Sequence, residues 1–212
     1  AQSYRGWGAI VIDDGGDPET RAFLRLTLAP LRDRVTLLSL RERRGGLANT
    51  VFALQHVATN PDSIIALVDA DDALLGDRAL ARVIEEYERG ADLTIGSMLR
   101  TDKFALYPPD LEDPRRARGG NVWQHLRTFR RRLFDEVPDA HLRLDGDYVD
   151  LACDWALMLP LVELARRPVH IPEPLYLYEP SGVGKSGAQR DHREAVIGRV
   201  VAKPSLRVTG RG

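Results

Sequence analysis

The chain has 212 residues, 43% hydrophobic and 29% charged, the balance of a globular protein able to bury a core. Its 30 basic and 31 acidic side chains leave a formal net charge of -1, which disfavours nucleic-acid binding by bulk charge; arginine supplies 27 of the basic residues. One cysteine excludes an internal disulfide framework and a cysteine-based metal cluster. No apolar run approaches the ~18 residues that span a bilayer, and no signal-peptide pattern opens the chain, so an intracellular or membrane-surface location is expected.

Residues 7–12 (WGAIVI) form a short apolar run closed by Asp13-Asp14-Gly15-Gly16, which predicts a buried strand leaving its sheet into a loop. Residues 18–31 place Ala22, Phe23, Leu26 and Ala29 at helical spacing, with Asp17 as cap and Pro18 as first residue. A strand is expected over 34–40, then a helix over 46–58 with Leu47, Val51, Leu54 and Ala58 on one face. Residues 63–68 (SIIALV) predict a second buried strand, ending in Asp69-Ala70-Asp71-Asp72. A helix over 77–89 presents a charged outer face (Arg78, Arg82, Glu85, Glu86, Arg89) and stops at Gly90; a strand over 91–97 follows. This alternation predicts an α/β/α sandwich with a mostly parallel sheet.

Beyond Met98 the pattern changes. Residues 107–120 are rich in Pro, Asp and Arg and read as a loop. Residues 128–137 predict a short helix and 151–166 a long buried one kinked at Pro160. Short strands are expected over 169–171 and 175–178, split by Pro172 and Pro174, and a weak helix over 190–202. There is no internal repeat.

The acids after the two buried strands carry the strongest chemical signal. In an open parallel sheet, ligands gather outside the carboxyl ends of the strands. Several carboxylates at one edge repel unless a cation joins them, and a divalent ion on a diphosphate does so through hard oxygen ligands. Taken singly, each acid is as well explained as a turn or cap residue.

These motifs resemble family-2 glycosyltransferases of the GT-A fold. The matching stretches are Gln2-Ser3-Tyr4-Arg5-Gly6-Trp7, Val11-Ile12-Asp13-Asp14-Gly15-Gly16-Asp17, Gly45-Gly46-Leu47-Ala48-Asn49, residues 64–72, Arg127-Thr128-Phe129-Arg130 and residues 146–157. The resemblance implies a nucleotide-sugar-binding fold in three parts: donor binding over 1–97, acceptor binding and catalytic base over 98–180, and a loop and tail over 181–212. By the same resemblance Asp14 would bond the nucleotide base, with Asp13 supporting its turn, and Arg43 or Arg44 would lie near the nucleotide or its phosphates. Asp69 and Asp71 form a D-x-D pattern, in which one faces the ribose and Asp71 with Asp72 reaches Mn2+ or Mg2+. Asp154 would be the general base, and His125, Trp123 and Arg127 would line the acceptor side.

The implied reaction is inverting transfer of a sugar from a nucleotide sugar, UDP-linked, to an acceptor hydroxyl: a base takes the acceptor proton and a metal neutralises the leaving diphosphate. Among the acids nearby (Asp145, Asp147, Asp150), only Asp154 begins an apolar helical stretch; a plain N-terminal helix acid is its alternative reading. Relatives carry Glu-Asp where this chain has Cys153-Asp154. Nucleotidyl transfer, and a catalytically silent GT-A fragment that binds a partner, are the competing functions. The implied location is cytoplasmic, including the inner face of a membrane.

Other signals are discounted. Gly182-Val183-Gly184-Lys185-Ser186 resembles part of a P-loop, but Glu179 stands where a glycine is needed; relatives allow Lys185 to touch a phosphate. His56, His141 and His170 form no i, i+4 ligand pair. Arg130-Arg131-Arg132 reads as a solvated helix face that would meet anionic lipid near a membrane. Trp7, Trp123 and Trp155 read as core, with Trp123 the one able to stack on a sugar. Set against the family, roughly 25 to 30 residues, about one βα unit, are expected before Ala1. Without that strand, weak stability and self-association are expected.

Overall fold

The computed structural model describes residues 2–102, 107–116, 122–180 and 187–207. The 182–186 segment and part of the 103–120 loop therefore lie outside the described residues. Contacts divide the chain into two compact units, Tyr4–Thr59 and Ala1–Ser3 with Asn60–Gly212.

In the smaller unit, β1 (Ala9–Asp13) runs parallel to β2 (Val35–Ser39), in register from Ala9 with Val35 to Asp13 with Ser39. Between them, α1 (Pro18–Leu28) starts as its sequence predicts: Pro18 is in the first turn and Asp17 accepts the Thr20 N–H at 2.7 Å. Its apolar stripe is not covered: no α1 residue is buried, and Phe23 and Leu26 are 64% and 77% exposed. Helical periodicity locates a stripe but does not say what packs on it. α2 (Gly46–His56) buries Leu47, Val51 and Leu54; Ala58 falls beyond its C-cap at Val57 and is half-buried.

The larger unit is built on a five-stranded sheet ordered β3 (Ile64–Leu67), β6 (Arg127–Arg130), β5 (Leu93–Arg100), β9 (Pro168–Tyr178) and β4 (Ala73–Leu74). The α/β class holds, but the mostly parallel expectation does not hold for this sheet. β5–β9 is parallel, while β3–β6, β6–β5 and β9–β4 are antiparallel. The reason is β6, which the sequence pattern presents as the start of a helix. Thr128 and Phe129 are both fully buried, so this central strand shows no polar–apolar alternation. Thr128 Oγ1 instead meets the hydroxyls of Tyr87 (2.8 Å) and Thr94 (2.6 Å). Only α4 (Arg131–Asp135) of the expected helix is helical.

β9 likewise runs through both of its prolines. Ile95 pairs with His170 and Ser97 with Pro174, so Ile171, Pro172 and Glu173 bulge opposite Gly96. β4 pairs only with Tyr176 and Leu177, which leaves Pro172 and Pro174 without a ladder bond to donate on that side.

α3 (Ala79–Glu88) lays its apolar face on this sheet through Ala79, Val83 and Tyr87, joined by Met98, Leu126, Ile171 and Tyr176. Its outer face carries the expected charges, with Arg82 bonded to Glu86 (2.6 Å) and Glu173 (3.3 Å). Gly90 ends it at φ +99. α5 (Cys153–Leu164) is buried from Trp155 to Glu163. Before it, β7 (Arg143–Leu144) and β8 (Asp147–Tyr148) form a tight hairpin, and after β9 comes α6 (Gly187–Val201), which buries Ile197 and Val200.

Glu163 is 1% exposed and held by Arg115, the Ser205 hydroxyl (2.9 Å) and the Leu206 N–H (2.9 Å). Arg115 also donates to the carbonyls of Val201, Lys203 (2.6 Å) and Pro204 (3.1 Å), which ties the 107–116 segment and the tail to α5. Burial raises the Glu163 carboxyl, but bonds from Arg115, Leu206 and Ser205 outweigh it and the net shift is downward. Among the described residues no helix is long and apolar enough to cross a membrane.

Candidate functional site

The two acid groups lie in different units. In the smaller unit, β1 ends on Asp13, which is buried: its Oδ1 accepts the Gly16 N–H (2.7 Å) and its Oδ2 pairs with Arg21 Nε (3.2 Å). Asp13 thus builds the turn. A side chain at Gly15 is excluded, since its φ is +79 and a Cβ would stand 2.7 Å from the Arg43 nitrogen. Asp14 accepts the Arg44 N–H (2.7 Å) and Gly45 N–H (3.0 Å) at the head of α2. Slight desolvation raises its carboxyl, but bonds from Asn49, Arg44 and Gly45 and the Arg43 charge carry it below the usual carboxylate range. The Arg44 guanidinium lies 5.7 Å over the Phe52 ring, and Arg43 is exposed.

In the larger unit, β3 delivers the chain to Asp69, whose N–H donates to the Tyr176 hydroxyl (2.9 Å). A turn closed by the Asp72 N–H to the Asp69 carbonyl (3.2 Å) brings both carboxylates to one side. Asp72 Oδ1 accepts the Glu179 N–H (2.8 Å), while its Oδ2 is buried with no partner among the described residues.

The pairing of Leu67 with Arg127 sets β6 beside β3 and brings in His125. The His125 ring stacks on Tyr176 (4.4 Å, 19°) and its Nε2 lies 3.3 Å from Asp69 Oδ2. Ligand atoms of Asp69, Asp72 and His125 all fall within 4.8 Å of one another. Gly96 permits this placement: a Cβ there would stand 2.4 Å from the Leu126 nitrogen and 2.9 Å from the His125 carbonyl.

Charge at this group is finely divided. Burial, then the Arg127 charge, pushes the His125 imidazole down to about 2, so it is neutral and its nitrogen lone pair is intact. Nδ1 faces the Leu67 carbonyl at 3.4 Å, which assigns the proton to Nδ1 and the lone pair to Nε2, where the Arg127 guanidinium donates to it. Burial raises the Asp69 carboxyl, and Asp72, Asp71 and Asp154 add to the rise against the opposing Arg127. Four carboxylates thus act on one another here, the crowding that a cation relieves.

Asp154 stands in the first turn of α5, and both its oxygens lie 3.3 Å from the Arg193 guanidinium on α6. The residue before its neighbour, Ala152, takes the left-handed conformation (φ 59) that turns the chain into the helix. Burial, then the Asp154 charge, raises the Cys153 thiol, which keeps it protonated.

Some sequence expectations are redrawn. Asp71 is exposed and stands outside the Asp69–Asp72–His125 group. Trp123 is only 3% exposed and meets Trp155 edge-on at 5.3 Å, so its face is closed to a sugar. Arg127 touches His125, and its Nε is buried without a partner among the described residues. The Arg130–132 run is a solvated face only in part: Arg132 is exposed and pairs with Asp62 (3.1 Å), whereas Arg131 is buried and pairs with Asp135 (2.5 Å) and Arg130 bonds the Tyr87 carbonyl (3.2 Å).

Sequence reasoning missed Tyr176 and Arg193. Tyr176 is far from the acids in sequence, and the pairing of β9 with β4 and β5, through Leu74 and Met98, brings it in. Arg193 carried no signal beyond lying in a polar helix.

The profile described as Glycosyl transferase family 2 matches residues 1–139. No curated protein matches at the sequence level. Among solved structures, the fold is similar to that of S. aureus TarS 1-349 in complex with UDP, with TM-score 0.65 and 14% identity over 95% of this chain and 57% of that one. It is also similar to TarS 1-349 in complex with UDP-GlcNAc, with TM-score 0.60 and 13% identity over 94% and 59%. Against S. aureus TarS the TM-score is 0.58, at 14% identity over 97% of this chain and 40% of that one. The chain thus spans between 40% and 59% of the length of these structures.

Proposed function

The chain belongs to glycosyl transferase family 2, and from that premise we propose that it is a metal-dependent inverting glycosyltransferase that moves a sugar from a UDP-linked donor to an acceptor hydroxyl. The observation that carries the reading is the convergence of Asp69, Asp72 and His125 within 4.8 Å. Residues 1–97 would serve the donor and 98–180 the acceptor and base. Asp13, Asp14, Arg43 and Arg44 are assigned to the donor, with Asp14 for the nucleotide base, on the strength of the sequence resemblance. The similar TarS structures hold UDP and UDP-GlcNAc, which favours a UDP-linked donor.

The residues fit a divalent ion. Two carboxylates and a neutral imidazole suit Mn2+ and tolerate Mg2+, and the unpartnered Asp72 Oδ2 is the kind of atom an ion satisfies. Asp71, next to Asp72, is exposed and free to reach toward the same ion or the ribose. A bound ion would supply positive charge to the departing diphosphate.

The chain's own residues do the rest. Asp154 accepts the proton of the acceptor hydroxyl as that oxygen bonds to the anomeric carbon. The bond from that carbon to the diphosphate breaks, and its electron pair leaves on the phosphate oxygen. Arg193 positions the Asp154 carboxylate. Arg127 adds positive charge beside the carboxylates.

The test is UDP binding followed by thermal shift with Mn2+, with Mg2+ and with chelator, then sugar release from a panel of UDP-, GDP- and dTDP-sugars. Metal-dependent stabilisation by UDP and turnover of a UDP-sugar are expected. Stabilisation by nucleoside triphosphates in preference to UDP would favour nucleotidyl transfer. Binding without turnover of any donor would favour a silent binding module.

A further inference from the structure

The Arg127 guanidinium donates to Nε2 of His125, and this is its one side-chain bond among the described residues. Nε2 is also the ring nitrogen turned to Asp69, 3.3 Å from Oδ2, while Nδ1 faces the Leu67 carbonyl. That nitrogen has a single lone pair in the ring plane. It serves an N–H donor or a metal ion, and not both. On β6, Arg127 lies opposite Leu67 on one side and Ile95 on the other, so its backbone is fixed and only its side chain is free to move.

The guanidinium is lightly held. Arg82, Arg115 and Arg193 are each paired with a carboxylate, whereas Arg127 forms no ion pair among the described residues. Its partner is a neutral imidazole, which lacks the Coulomb attraction a carboxylate would add. Its Nε is buried with no partner among the described residues. The charge is still felt nearby, where it opposes the rise of the Asp69 carboxyl and of the Cys153 thiol.

Resting on the reading of Asp69, Asp72 and His125 as metal ligands, we propose that Arg127 is an internal competitor of the metal ion, one that a nucleotide diphosphate draws away from Nε2. Two effects oppose an ion that arrives alone: an occupied lone pair, and a positive charge beside the ligand set. A diphosphate weakens both. Its negative charge offsets the repulsion, and its oxygens offer the guanidinium a bidentate acceptor. One side chain thus couples the two affinities, and by linkage each ligand raises the affinity of the other by the same factor.

The experiment titrates Mn2+ calorimetrically into this chain, with and without UDP. The proteins are the wild type, Arg127→Met, Arg127→Lys, and Arg127→Met combined with Asp72→Ala. Arg127→Met is expected to bind Mn2+ alone at least tenfold more tightly than the wild type, and to be helped less by UDP. Arg127→Lys, which keeps the charge, is expected to show a smaller rise. The rise is expected to vanish with Asp72→Ala, which ties it to the ligand set. Should Arg127→Met fail to fold, NMR of the histidine and arginine side-chain nitrogens in the wild type decides, with Zn2+ as a diamagnetic ion. The Arg127–His125 bond is expected to disappear as Zn2+ binds this group, and a bond that persists beside bound Zn2+ overturns the inference. Equal or weaker Mn2+ binding by a folded Arg127→Met also overturns it and leaves the metal site standing. Mn2+ binding by none of these proteins, with or without UDP, removes the metal site itself and the inference with it.

Discussion

The guanidinium of Arg193 stands 3.3 Å from each carboxylate oxygen of Asp154, so the residue assigned as base is gripped from α6 symmetrically. Asp154→Asn keeps the shape and removes the basicity. It is expected to lower sugar transfer by about 10²- to 10⁴-fold, the usual contribution of a general base, while UDP affinity stays within twofold. Arg193→Gln is expected to lower transfer less and to be partly rescued by Lys. Steady-state transfer assays beside UDP titrations check both; full transfer by Asp154→Asn would remove it from the chemistry.

Asp72 offers the metal an oxygen that no described group uses. Asp72→Ala is therefore expected to abolish the difference in UDP affinity between Mn2+ and chelator, and His125→Ala to reduce it. Asp71→Ala, at an exposed position outside the group, is expected to have the smaller effect. Calorimetric titration of Mn2+ in the presence of UDP ranks the three, and a larger loss at Asp71 than at Asp72 would return the metal to the pair the sequence resemblance implied.

Gly96 faces the peptide that carries His125, with room for a hydrogen and not for a methyl group. Gly96→Ala forces backbone against backbone, and overpacking of this kind costs about 1–3 kcal/mol. The variant is expected to melt lower and to bind Mn2+ more weakly, because the displaced segment includes a ligand. A variant with wild-type melting and metal affinity would show that the sheet yields there.

Glu163 gives the fold a definite acid sensitivity. Its folded carboxyl lies below its unfolded value of 4.5, so its contribution is complete above that pH and is lost as pH falls through the lower, folded value. Stability is expected to decline as the solution is acidified below about pH 4.5. Glu163→Gln is expected to flatten that part of the curve while lowering stability near neutrality by about 1–3 kcal/mol, the cost of weakening hydrogen bonds to a buried charge whose partner Arg115 is only half-buried and keeps its carbonyl bonds. Chemical denaturation at a series of pH values measures both effects.

The parts legible in the sequence were those governed by local rules. The Asp17–Pro18 helix start, the acid turns after β1 and β3 and the charged face of α3 follow from caps, turn residues and periodicity. What escaped depended on neighbours far along the chain. Thr128 reads as polar until Tyr87 and Thr94 supply its partners, so β6 was mistaken for helix and the sheet for mostly parallel. Pro172 and Pro174 read as strand breaks until a bulge accommodates them. The same limit governs the site: the D-x-D acids are visible as a motif, but their grouping with His125 follows from the β3–β6 pairing, and Arg193 from the packing of α6.

The clamp between Arg115 and Glu163 makes the tail part of the interior in all but sequence position. Ser205 and Leu206 supply two of the bonds that make a buried negative charge tolerable, and Arg115 is itself held by carbonyls of residues 201–204. A shortened protein ending before Pro204 would not be the same domain minus a loose end; it would be a domain with an ill-solvated carboxylate in its longest buried helix.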